Sequence, residues 1–122
     1  MRKEPVHDPI TTAWMEEMTA KRPALVARMF TVFLEEEPKR LEAVRQALAA
    51  GDAETLRFLA HSLKGASAAL GAETLRGHCL ALEQAAASGD LTAAPGRLSD
   101  LEAEMERVFA FMRGHLDHAA TS

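Results

Sequence analysis

The chain has 122 residues, 48% of them hydrophobic, and a formal net charge of -4 from 18 acidic and 14 basic side chains. That length fits one domain with one core, and the acidic balance excludes a general nucleic-acid binder, which would carry a basic excess. No apolar run is long enough to span a bilayer, no signal-type stretch follows the basic start, and the lone Cys79 has no partner for an internal disulfide; a soluble, cytoplasmic protein with no membrane association is the expectation.

Tyrosine is absent, aromatics are only 5%, and no β-branched run suggests a strand, so the fold class is all-α. Residues 1–8 read as a flexible lead-in. Asp8-Pro9 predicts the start of a short first helix, with Asp8 as cap and Pro9 in the first turn. This helix should carry Trp14 and Met18 and end near Lys21-Arg22. Pro23 opens the second helix, with an expected seam of Leu25, Met29, Phe33, Leu41, Val44 and Leu48. Pro38 falls inside it, where its ring would meet the Leu34 carbonyl, so a kink or local break is expected. Gly51 should end this helix in the left-handed cap position.

Asp52 caps the third helix, with Glu54 in its first turn. Its seam is Leu56, Leu59, Leu63, Ala66 and Leu70, and Gly71 ends it. The fourth helix runs from about Ala72 to Ala87 on Leu75, Cys79, Leu82 and Ala86, and Ser88-Gly89-Asp90 breaks it. Pro95 opens the fifth, which carries Leu98, Leu101, Met105, Val108, Met112 and Leu116. Residues 119–122 are expected to fray. Long amphipathic helices joined by short turns predict an antiparallel up-down four-helix bundle over residues 9–118. The short N-terminal helix covers one end, with Trp14 as its plug.

His61 lies within the third helix, in the run His61-Ser62-Leu63-Lys64-Gly65-Ala66-Ser67-Ala68-Ala69-Leu70-Gly71-Ala72. At about 100° per residue, His61 points almost opposite the expected seam. Arg57, Phe58, Lys64, Gly65 and Ala68 share its face. Glycine inside a helix costs about 1 kcal/mol relative to alanine, so Gly65 suggests a need for bare backbone beside the ring. The small residues make a flat patch that a partner could approach, with Phe58 as apolar contact area. Arg57 and Lys64, with Arg76 near the start of the next helix, favour an anion there and disfavour a metal ion. The other candidates are weaker. His7 lies in the lead-in, His115 and His118 lack a third metal ligand, and His78 reads as a partly exposed helix residue. Cys79 and the methionines read as core.

The run from His61 to Ala72 resembles the signature of histidine-containing phosphotransfer (HPt) domains of bacterial multistep phosphorelays. The likeness extends to Phe33-Leu34-Glu35-Glu36-Glu37-Pro38, to Ala50-Gly51-Asp52, and to Leu82-Glu83-Gln84 with Ser88-Gly89-Asp90, spanning about Pro23 to Phe111. The resemblance implies a covalent phosphoryl carrier rather than an enzyme with its own ATP site. His61 would take a phosphoryl group from a receiver-domain phospho-aspartate through Nε2 and pass it to another receiver. Lys64 would steady the phosphoryl charge and Gly65 would open the approach. Glu83 would accept the Nδ1 hydrogen, which requires His61 to lie at the groove between the third and fourth helices. Arg57, Phe58, Ala68 and Arg76 would contact the partner. The chain itself would need no cofactor or metal, magnesium belonging to the receiver, and would act as a monomer.

Other classes stay open at this point. One is the phosphoacceptor domain of a chemotaxis-type histidine kinase, phosphorylated by an ATP-binding domain in trans. Another is a bundle that only docks on receivers. A dimerising histidine kinase is disfavoured, because the chain has no His-Glu-x-x-x-Pro box.

Overall fold

The structure is a computed structural model describing residues 7–121; residues 1–6, most of the expected lead-in, lie outside the described residues. Five helices follow in order: α1 Thr12–Lys21, α2 Pro23–Ala49, α3 Ala53–Ala69, α4 Glu73–Ala87 and α5 Ala94–Thr121. The described residues contain no strand, as the composition leads one to expect. α3 packs on α4, α4 on α5, and α2 on both α3 and α5, so the four long helices close into a bundle with α1 resting on α2. The core runs along its axis through Val26, Phe30, Val44, Leu56, Leu63, Leu75, Leu82, Leu101, Met105 and Val108.

Two helix ends show how local chemistry sets the turns. Gly51 and Gly71 both have positive φ, 68° and 71°. This left-handed conformation costs a residue with a Cβ about 1–2 kcal/mol. It lets the next amide reach back five residues, Asp52 N–H to Ala47 O at 2.9 Å and Ala72 N–H to Ser67 O at 3.0 Å, which satisfies carbonyls the helix leaves open. Asp52 then caps α3 by accepting from the Thr55 amide at 3.1 Å.

α1 covers the end of the bundle where α3 turns into α4. The Thr11 amide donates to Gly71 O at 3.0 Å. Trp14 lies over Gly71 and stacks on Phe30 at 6.3 Å, and Phe30 in turn meets Phe111 and His115 edge-on. A Cβ on Gly71 would stand 2.6 Å from Trp14 Cγ. Gly71→Ala therefore combines left-handed strain with a steric clash. It should lower unfolding free energy by about 3 kcal/mol in urea titrations followed by Trp14 fluorescence; unchanged stability would refute this packing account.

Several expectations need correction. The cap of α1 is Thr11, whose hydroxyl accepts from the Trp14 amide at 3.4 Å; Asp8 instead accepts from the Thr12 hydroxyl. α2 is unbroken through Pro38, which sits on the exposed face. The buried seam Val26, Phe30, Phe33, Glu37, Leu41, Val44, Ala47 continues on both sides of that proline, so no local break occurs there. In the N-terminal half this seam lies one residue on from Leu25 and Met29. Glu37 is tolerated inside it because both carboxylate oxygens accept from Arg40, at 2.8 and 3.0 Å. Burial nonetheless raises the Glu37 carboxyl above its usual range despite that pairing. α5 opens at Ala94, one residue before Pro95, and its helix extends through Thr121. His7 is anchored: its Nε2 lies 2.8 Å from the buried Glu104, and its carbonyl accepts from Arg107.

Cys79 is fully buried between α3 and α4, 4.0 Å from the Ser67 hydroxyl. Burial pushes its thiol up from 9.0 to about 12. The folded state thus holds this proton more tightly than the unfolded chain. The resulting stability is complete below about pH 9 and lost progressively as pH rises toward 12. Native protein should resist iodoacetamide at pH 8 and react fully only when unfolded in urea; rapid native alkylation would contradict the burial.

Candidate functional site

The site grows from the packing of α3 against α4. Its interface alternates large and small side chains, Leu56, Ala60, Leu63 and Ser67 against Leu75, Cys79, Leu82 and Ala86, all buried. The small residues let the helices approach closely. Ala60 and Ser67 replace the expected Leu59 and Ala66 in the seam, turning the core direction of α3 by about 40° toward α4. That turn reconciles two expectations. His61 still stands clear of the core, yet it lies over the groove where α4 presents Glu83.

The His61 side chain is 61% exposed, and its Nδ1 lies 2.9 Å from Glu83 Oε2. The other carboxylate oxygen, Oε1, pairs with Lys64 Nζ at 2.8 Å. Glu83 and Lys64 are the more sheltered members, at 16% and 25% side-chain exposure. One carboxylate thus joins the imidazole and the ammonium. Partial burial would raise the Glu83 carboxyl, but contacts from Lys64 and His61 outweigh it and hold the group below its usual range. An ionised carboxylate only accepts hydrogen bonds, so His61 must place its hydrogen on Nδ1 when the ring is neutral. Nε2 then carries the lone pair, turned away from the groove and without a partner among the described residues.

Lys64 is therefore a partner of Glu83 and not a free cation beside the ring. Gly65 is exposed, and a Cβ there would meet nothing within 4 Å. Phe58 is 63% exposed, the most exposed large apolar side chain among the described residues, and Arg57 and Ala68 are also exposed on α3. Arg76 lies two turns before Glu83 on α4, with its Nε on Glu73 at 2.9 Å. Sequence reasoning missed the neighbouring groove between α2 and α3. It has a volume of about 200 Å³ and is lined by Met29, Val32, Phe33, Glu37, Ala66, Ala69 and Leu70, with Val32 half exposed. Its sequence signal was Val32, an apolar residue off the α2 seam. A larger cleft of about 400 Å³, between α4 and the turn before α5, shares no residue with the His61 cluster.

His7 and Glu104 form a second imidazole–carboxylate pair, but it engages Nε2 and is flanked by Arg107. His115 packs against Phe30. No helix among the described residues is long and apolar enough to cross a membrane.

Residues 28–111 match the model of the Hpt domain. The chain is also similar to a crystal structure, that of histidine-containing phosphotransfer protein B (HptB) from Pseudomonas aeruginosa PAO1. The TM-score is 0.86 at 28% identity, and the match covers 93% of this chain and 98% of that one. No curated protein matches the chain in sequence. The Hpt match spans more than half of the residues, contains the whole His61–Lys64–Glu83 cluster and agrees with the helical bundle, and on these grounds the chain belongs to the Hpt domain family of histidine phosphotransfer.

Proposed function

We propose that this chain relays a phosphoryl group between receiver-domain aspartates through phosphohistidine at His61. The observation that carries the reading is the exposed ring held by Glu83 through Nδ1, which turns the Nε2 lone pair outward. In the forward step Nε2 attacks the phosphorus of an aspartyl phosphate. The N–P bond forms, the P–O bond breaks, and its electron pair leaves on the partner's carboxylate. The return step reverses this on a second receiver. The chain acts as a covalent carrier with no ATP site, and the magnesium ion belongs to the receiver. It works as a cytoplasmic monomer between encounters.

Docking uses the strip around the ring. Phe58 and half-exposed Val32 supply apolar area, while Gly65, Ala68 and Ala69 keep the surface low. Arg57 lies at its edge and attracts the acidic pocket of a receiver. Lys64 is near enough to exchange Glu83 for a phosphoryl oxygen during transfer.

Incubation with a ³²P-labelled phospho-receiver should move label onto this chain, in an acid-labile and alkali-stable form. Label arriving only from an ATP-binding kinase domain, and never from a phospho-receiver, would favour the chemotaxis-type acceptor instead. No label from either donor would leave a bundle that docks without accepting phosphate.

A further inference from the structure

Glu83 is a carboxylate where a neutral hydrogen-bond acceptor would suffice to orient the ring, and its charge has a consequence after phosphorylation. Attack by Nε2 moves no proton. The product ring carries phosphorus on Nε2 and hydrogen on Nδ1, so it is an imidazolium. When a second carboxylate attacks the phosphorus, the N–P bond breaks and its electron pair returns to Nε2. The leaving group is then neutral imidazole. Had the Nδ1 hydrogen been lost first, the leaving group would be imidazolate, a far stronger base and a far poorer leaving group.

We infer, resting on the phosphotransfer reading above, that Glu83 is a positioning residue that retains the Nδ1 proton of phospho-His61 and so keeps the phosphoryl group transferable. Two contacts suit it to this. Oε2 lies 2.9 Å from Nδ1, so its negative charge faces the positive ring that phosphorylation creates. Oε1 lies 2.8 Å from Lys64 Nζ, which keeps the carboxylate ionised and stops it from taking the ring proton for itself. Along the same faces of the two helices stand Glu54, Arg57 and Lys64 on α3, and Glu73, Arg76 and Glu83 on α4. Arg76 is paired with Glu73, and Lys64 with Glu83. Glu83 therefore supplies the one negative charge in contact with the ring among the described residues.

The test compares the full chain with Glu83→Gln, which keeps the shape and an oxygen acceptor but removes the charge. Both are phosphorylated with phosphoramidate, and ³¹P NMR follows loss of phosphohistidine by hydrolysis and by transfer to an unphosphorylated receiver across pH 6–10 (a range of about four units around neutrality, chosen to contain shifts of the size a neighbouring charge causes). The wild-type rate should stay high to about one pH unit above the point where Glu83→Gln falls away. At the upper end of that window the variant should be about tenfold slower. Superimposable profiles, or a uniform slowing at every pH, would overturn the inference and assign Glu83 to ring orientation alone, leaving the relay intact. If the wild-type chain forms no phosphohistidine with either phosphoramidate or a phospho-receiver, the relay itself fails and the inference with it.

Discussion

His61→Gln should abolish phosphoryl acceptance from a phospho-receiver while leaving the bundle folded. The ring is largely exposed, and among the described residues it hydrogen-bonds to Glu83. Glutamine can donate an amide hydrogen to the same carboxylate, so the groove keeps a partner and stability should move by no more than about 0.5 kcal/mol. What disappears is a nucleophilic nitrogen with a lone pair directed outward. Two of the other histidines are held differently. His7 is held through Nε2 against a buried carboxylate on α5, and His115 meets Phe30 edge-on. Label on the variant should fall to background in a gel-based transfer assay, with its melting curve close to wild type. Residual transfer at a tenth of the wild-type rate or more would move the acceptor elsewhere.

Gly65→Gln should separate stability from function in opposite directions. Gly65 lies in the interior of α3, is exposed, and has nothing within 4 Å of the position a Cβ would take. Filling that position strains nothing in the folded chain and removes the entropic cost of glycine. The variant should gain about 0.5–1 kcal/mol in urea unfolding. The same side chain would rise beside His61, where the partner's phospho-aspartate must come within bonding distance. A misplacement of about 1 Å in a transfer geometry costs roughly 100-fold in rate. The variant should therefore be more stable and transfer about 100-fold more slowly, read by stopped-time labelling against one receiver. Equal transfer rates would show that the bare backbone serves no approach. A loss of stability would show that Gly65 is a packing residue.

The helices were legible because the apolar spacing and the glycine turns agree. Asp52 caps α3 and Gly51 and Gly71 end their helices as the sequence leads one to expect. His61 and Glu83 could be paired from the resemblance, and the structure brings them to 2.9 Å. What escaped depended on contacts between distant residues. Thr11 wins the cap of α1 because its amide is tied to Gly71, a bond no local pattern reveals. The α2 seam passes through Glu37, and a reading that admits only apolar residues to the core must skip that position. The pairing with Arg40 makes it admissible. Pro38 does not end α2, since buried residues on both sides of it, Phe33 and Leu41, hold the helix against the core, which the local clash argument cannot see. The counter-charge of Lys64 comes from α4 across the groove, a pairing that the sequence of α3 alone does not show. The His7–Glu104 contact spans 97 residues and has no signature in the sequence.

The central claim is that Glu83 holds the imidazole so that one chosen nitrogen faces the partner. Uniformly ¹⁵N-labelled chain, phosphorylated by a phospho-receiver and observed by ¹⁵N–³¹P correlation NMR, tests it directly. The account predicts phosphorus bonded to Nε2 of His61, with the hydrogen on Nδ1. Phosphorus on Nδ1, or on any residue other than His61, would contradict it.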